Sequence, residues 1–198
     1  MREVELKARV VDYLSLKEKI DALYGEGKTV NKSDQYFHLP GDKHQALRMR
    51  NNKGVLEFTA KKTSNDSLSE DNMEYEFFAS IEEYDRAFNF FVCLGYEPYF
   101  RKNKTGWEWS VGDIHVELLE VSGKSNLKPQ EENTIGYFLE MEILIPFNQK
   151  NIDLRDEQNQ LHNLLYRFGL KDDDIVMASY RSMILGEWDG ISCKPYSC

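Results

Sequence analysis

Apolar and polar residues alternate with period two along most of this chain, the mark of β-strands whose two faces differ in character. In the first segment Glu3, Glu5, Lys7 and Arg9 share one face, while Val4, Leu6, Ala8 and Val10 share the other. Arg48 and Arg50 oppose Leu47 and Met49. Glu57, Thr59 and Lys61 oppose Leu56, Phe58 and Ala60, and Glu74 and Glu76 oppose Tyr75 and Phe77. Further along, Lys102 and Lys104 share a face, His115 and Glu117 oppose Ile114, Val116 and Leu118, and Glu140 and Glu142 oppose Leu139, Met141 and Ile143. Three stretches break this alternation and read as helices. The first runs from about Tyr13 to Leu23, with Leu14, Ile20 and Leu23 on one side. The second opens on a Ser80/Glu83 capping box and runs to about Leu94, before Gly95. The third spans about Asp156 to Phe168 and stops at Gly169. Thr63–Asn72 and Ser122–Asn133 are polar and read as loops. A single domain is expected over residues 1–187, with a C-terminal tail over 188–198.

The charged faces are unusual because like charges recur two residues apart, and such pairs destabilise a sheet unless something neutralises them. An opposing strand, a bound cation or a polyanion would each do so. Closing the strands into a barrel gives the charged faces one shared interior and leaves the apolar faces outside, partly covered by helices. The fold class expected is therefore α+β: an antiparallel β-barrel with a charged lumen, flanked by helices. A lumen kept charged against that electrostatic cost points to function.

Charge and composition narrow the partners. Acidic residues outnumber basic ones, 34 to 25, for a formal charge of −9. That disfavours broad nucleic-acid binding while leaving room for a local cationic pocket. No apolar run reaches the ~20 residues of a membrane span. The N-terminus is charged where a signal peptide needs an apolar core, so a cytoplasmic location and no membrane partner are expected. Of the three cysteines, Cys93 sits among Phe91, Val92 and Leu94 and reads as a buried thiol. Cys193 and Cys198 lack metal-finger spacing.

The opening Glu3-Val4-Glu5-Leu6-Lys7 carries an E-x-E-x-K pattern that resembles the CYTH superfamily, the triphosphate tunnel metalloenzymes. DQYF at Asp34–Phe37, LRMR at Leu47–Arg50 and a strand ending in Lys61 follow in the family's order. So do LGYEP at Leu94–Pro98, IHVELLEVSG at Ile114–Gly123, GYFLEMEI at Gly136–Ile143 and SYRSMI at Ser179–Ile184. The resemblance is greatest to class IV adenylate cyclases. Two features depart from the family pattern. Lys102-Asn103-Lys104 stands where K-x-R is common, which keeps the charge but loses a bidentate fork. The stretch between Glu117 and Glu140 is also longer than the short turn expected.

The resemblance implies an eight-stranded antiparallel tunnel and a Mg²⁺ or Mn²⁺ cofactor held by Glu3, Glu5, Glu117, Glu140 and Glu142. It implies a small-molecule triphosphate, ATP or another, bound by Lys7, Arg48, Arg50, Lys61, Lys102, Lys104 and Arg181, with Glu5, Lys7 and Glu142 at the chemistry. Glu74 and Glu76 either bind metal or pair with the lumen's cations, the pairing being the expectation. His115, on the same face as Glu117, is either a base or a hydrogen-bonding spectator, the latter being expected. The reaction implied is conversion of ATP to cyclic AMP and pyrophosphate. The alternatives are hydrolysis of inorganic, thiamine or nucleoside triphosphate and, in a different class, binding of nucleotide or polyphosphate without catalysis. The family allows a monomer or a homodimer.

Overall fold

The structure, a computed structural model, describes residues 2–64, 71–126, 133–145 and 154–187, and for residues 2, 42–46, 61–64 and 71–74 the backbone alone. The tail at 188–198, Cys193 and Cys198, and the middles of both expected loops lie outside the described residues. The eight strands are β1 (Arg2–Val10), β2 (Lys28–Leu39), β3 (Asp42–Asn52), β4 (Val55–Ser64), β5 (Asp71–Ser80), β6 (Glu97–Val111), β7 (Ile114–Ser125) and β8 (Asn133–Ile145). The four helices among the described residues are α1 (Tyr13–Tyr24), α2 (Tyr84–Cys93), α3 (Arg155–Phe168) and α4 (Tyr180–Leu185). The class is α+β, as the alternation predicts. The strands form one antiparallel sheet in the order β1-β8-β7-β6-β2-β3-β4-β5, so β1 and β5 are its end strands and hydrogen bonds do not close it. The chain divides into two compact units. The first holds Met1–Val30, Thr105–Val121 and Thr134–Cys198, and the second holds Asn31–Lys104 and Ser122–Asn133.

In the first unit the apolar parity of β1 does what the pattern requires. Val4, Leu6, Ala8 and Val10 are buried together with Leu139, Met141 and Ile143 of β8, and Leu16 and Ile20 of α1 cover them with Leu161, Leu164, Leu165 and Phe168 of α3. Each fully buried aliphatic side chain contributes about 1.5–3 kcal/mol, and this burial holds α1 and α3 on the sheet. The covering face of α1 differs from the one expected. Leu16 and Ile20, one turn apart, are buried, while Leu14 and Leu23 are 64% and 42% exposed. The Asp12 carboxylate caps the helix by accepting from Ser15 N at 3.2 Å, and this fixes the rotation of the first turn. Helix α3 ends as predicted: Gly169 adopts φ 87°, the left-handed C-cap conformation that glycine enters without a Cβ penalty.

In the second unit Phe37, Leu47, Met49, Leu56 and Phe58 are buried against Phe91 of α2. Cover is partial, since Tyr75 and Phe77 of β5 remain 63% and 58% exposed. The Ser80 cap is real but sits on a tighter turn than a capping box requires. Its hydroxyl accepts from Glu82 N, the chain makes one 3-10 turn over Ile81–Glu83, and α2 follows. Cys93 is exposed, not buried. Phe91 takes the inward position, and a residue two places on points some 200° around the helix. Ser122–Ser125, expected to be loop, extends β7.

Candidate functional site

The acidic residues collect in the first unit. The antiparallel register of β1 and β8 sets Glu5 opposite Glu142 and Lys7 opposite Glu140, while Glu3, exposed, stands opposite Leu144. Strand β7, next to β8, adds Glu117, which is only 5% exposed. His115 Nε2 lies 3.3 Å from Glu117 Oε1 and 3.9 Å from Glu108 Oε2. The histidine thus lies against both of these carboxylates. Burial, then the charge of Glu3, and further Glu117 and Glu5, push the Glu142 carboxyl above the usual carboxylate range, with His115 working the other way. Carboxylates packed this way repel one another unless a cation joins them.

A lysine and a tyrosine complete this cluster. Lys7 Nζ donates to the Ala178 carbonyl at 2.6 Å and sits 4.4 Å from the centre of the Tyr180 ring. Tyr180 opens α4, where the Ser179 hydroxyl accepts from Ser182 N at 3.1 Å and caps the helix. Burial and the charge of Glu140 hold its hydroxyl firmly protonated. Arg181, the next residue, is exposed on α4, so of the two it is Tyr180 that joins the buried cluster.

The donor set suits a hard divalent cation: several carboxylate oxygens, one well buried. Glu108, His115 and Glu117 also present ligand atoms all within 4.8 Å of one another. Glu108 was not among the expected ligands. The same parity could have found it, because Lys102, Lys104, Gly106 and Glu108 alternate on one face of β6.

The cations collect in the second unit. Arg50 faces Asp34 across the β2–β3 pairing, and Arg48 faces Tyr36. Arg50 donates Nε to Asp34 Oδ1 at 2.7 Å and Nη2 to Oδ2 at 3.0 Å, a two-pronged pair with a carboxylate that is 1% exposed. Lys102, 6% exposed, places Nζ 3.2 Å from the same Oδ2 and donates to the Tyr36 hydroxyl at 3.0 Å. Tyr36 stacks on Phe100, the ring centres 4.2 Å apart. Burial opposes the charge on Asp34, yet Lys102, Arg50 and Arg48 outweigh it and hold the carboxyl far below its usual range. Arg48 donates to Thr59 Oγ1 at 2.8 Å, with Glu76 Oε1 at 3.9 Å. Glu76 therefore pairs with a cation, as expected. Lys104 is buried at 8%. Lys61 lies opposite Ala46 and Glu74 in the strand register, and the side chains of Lys61 and Glu74 fall outside the described residues. The weight carried by Asp34 was missed: with Lys32 two residues before it, it forms no like-charge pair and so lacks the signal that marked the other strands.

Residues 1–180 match the CYTH domain. No curated protein matches the sequence. Among solved structures, a Pyrococcus horikoshii OT3 protein is 24% identical with TM-score 0.67, covering 92% of this chain and 99% of its own. A Vibrio parahaemolyticus protein, provisionally assigned as an adenylate cyclase, is 20% identical with TM-score 0.68 over 92% of this chain and 97% of its own. A Hippeastrum protein, provisionally assigned as an adenylyl cyclase and described as having a dominant triphosphatase activity, is 15% identical with TM-score 0.54 over 94% and 96%. These likenesses concern the fold.

Proposed function

The chain belongs to the CYTH family, and from that premise we propose that it is a divalent-metal-dependent enzyme acting on a triphosphate, with class IV adenylate cyclase as the first reading. The observation that carries it is the register of β1 and β8, which packs Glu5 against Glu142 and Lys7 against Glu140 beside buried Glu117. Glu3, Glu5, Glu117, Glu140 and Glu142 would hold Mg²⁺ or Mn²⁺, which supplies charge neutralisation at phosphate oxygens when bound. Lys7 is already oriented by the Ala178 carbonyl and the Tyr180 ring, so it meets a phosphate oxygen without first being ordered. Arg48, Arg50, Lys102 and Lys104 are assigned to phosphate oxygens, with Lys61 and Arg181 as further members of the clamp. Their contribution is positioning and electrostatic, the main resource of phosphoryl-transfer catalysis. In the cyclase reading the ribose 3′-oxygen loses its proton and bonds to the α-phosphorus. The bond from that phosphorus to the oxygen bridging to the β-phosphate breaks, and pyrophosphate leaves.

A second reading, triphosphate hydrolysis, is favoured by the triphosphatase activity described for the Hippeastrum protein. There a water oxygen bonds to the terminal phosphorus, and the bond from that phosphorus to its bridging oxygen breaks. The diphosphate departs as the leaving group, and the water oxygen ends up in orthophosphate. A product assay separates the two, using ATP, tripolyphosphate and thiamine triphosphate, each with Mg²⁺ or Mn²⁺. Cyclic AMP with pyrophosphate is expected from ATP, and orthophosphate without cyclic AMP selects hydrolysis. Glu5→Ala is expected to remove at least about 100-fold of the metal-dependent rate while leaving the circular dichroism spectrum unchanged. Turnover that survives both Glu5→Ala and Glu142→Ala sinks the metal-site assignment.

A further inference from the structure

The cationic cluster contains an anion that phosphate binding does not call for. Asp34 is nearly inaccessible at 1%, and it lies between two of the cations assigned to phosphate. A carboxylate placed there opposes a polyanionic ligand electrostatically, so its presence needs a reason. Stability alone is a weak one, since a buried ion pair is often replaceable by packed apolar side chains at no loss.

The geometry supplies a better reason. Both Asp34 oxygens grip the Nε/Nη2 edge of Arg50, at 2.7 and 3.0 Å, and fix the plane of the guanidinium. Oδ2 also takes Lys102 Nζ at 3.2 Å and lies 3.3 Å from the Tyr36 hydroxyl, which itself accepts from Lys102 at 3.0 Å. Tyr36 in turn is held flat against Phe100, with 10° between the rings. With the Nε/Nη2 edge occupied, Nη1 becomes the edge of Arg50 that a phosphate oxygen would meet. On that side Glu57 Oε2 is 4.0 Å away, beyond hydrogen-bond distance, and Glu57 Oε1 accepts from Asn52 at 2.8 Å. Without Asp34, Arg50 and Lys102 would be two neighbouring like charges, each on a side chain with several rotatable bonds, and mutual repulsion would separate them.

We propose that Asp34, together with the Tyr36 hydroxyl, is a positioning residue that holds Arg50 and Lys102 at a fixed separation and orientation for the phosphates of the substrate. This rests on the reading that Arg50 and Lys102 bind phosphate. Such a residue serves turnover, which depends on aligned phosphates, at the expense of ground-state anion affinity, because its own charge repels the ligand.

Asp34→Asn tests this, since it removes the charge and keeps the size. Tripolyphosphate affinity is measured by calorimetry without metal. Turnover is measured with ATP or tripolyphosphate, whichever the wild type consumes, below the variant's melting temperature. The expected result is a loss of about 100-fold in kcat, the cost of a misplaced reacting group, with tripolyphosphate affinity unchanged or tighter. A folded variant with wild-type kcat overturns the proposal. So does a variant that loses affinity and kcat by the same factor, because that is a collapsed site. Should Asp34→Asn fail to fold, Tyr36→Phe carries the test. It keeps the stack on Phe100, and a kcat loss of about 10-fold with unweakened affinity is expected, unchanged kcat again counting against the proposal. A wild-type protein that binds no tripolyphosphate and turns over no triphosphate removes the phosphate-binding reading itself, and the role of Asp34 falls with it.

Discussion

Asp34 is a buried carboxylate and Glu142 a half-buried one, and their surroundings push them in opposite directions. Around Asp34, burial is outweighed by Lys102, Arg50 and Arg48, so the folded protein favours the ionised form. A carboxylate held below its unfolded value contributes stability that is fully present above about pH 4 and is lost as pH falls through the folded value. The stability difference between wild type and Asp34→Asn, from urea unfolding at a series of pH values, should be largest near neutrality and shrink below about pH 4. A difference that does not vary with pH would place the ionisation of Asp34 outside the folding equilibrium. Around Glu142, burial and then Glu3, Glu117 and Glu5 favour the neutral form. Without metal, Glu142→Gln should therefore melt at or above the wild type near neutral pH. With Mg²⁺ or Mn²⁺ at about 100 times its dissociation constant, the wild type should gain roughly 5–10 °C, and most of that gain should vanish in the variant. An equal gain in both proteins would remove Glu142 from the metal site. Neither environment is legible residue by residue in the sequence. Parity put Glu142 on a charged face beside Glu140, but Asp34 has no like-charged partner two residues away, only Lys32, and depends on strands that only the fold brings together.

At the scale of elements, most of the structure could be read in advance from two periodicities. All seven charged-face segments are strands, and among the described residues three of the four helices occupy the expected stretches. What failed was rotation and length: the buried face of α1 follows its Asp12 cap, Cys93 turns outward once Phe91 turns inward, and α4 is too short, at six residues, to show a period. One position on β6 was also beyond the pattern. A Cβ built on Gly106 would lie 2.0 Å from the Leu118 carbonyl oxygen and 3.0 Å from the Tyr13 hydroxyl. Backbone cannot yield as a flexible side chain can, so glycine here permits β6 to approach β7 closely, two residues from Glu108. Gly106→Ala is expected to destabilise the protein by at least about 2–3 kcal/mol, the upper range for overpacking, or to prevent folding. A chemical-denaturation curve that matches the wild type would show that β6 can move away without penalty.

At the scale of the whole molecule, a chain of formal charge −9 is assigned a highly anionic ligand. The long-range field therefore opposes encounter, and attraction must come from cations at short range and from metal already bound to the ligand. Those cations are sheltered: Lys102 and Lys104 are 6% and 8% exposed. Mobile ions screen exposed charges over a Debye length of about 8–10 Å and screen buried pairs much less. The two effects of added salt, weaker long-range repulsion and slightly weaker contact attraction, then oppose each other. For a metal-bound triphosphate, kcat/KM between about 50 and 300 mM KCl should change by less than about threefold, unlike a basic nucleic-acid binder, which loses orders of magnitude over a similar range. Measuring kcat/KM at fixed free Mg²⁺ keeps metal competition out of the comparison. A fall of tenfold or more would mean that exposed lysines and arginines dominate capture. That outcome would move the phosphate site away from the buried cluster around Asp34, Arg50 and Lys102 and toward exposed cations such as Arg181.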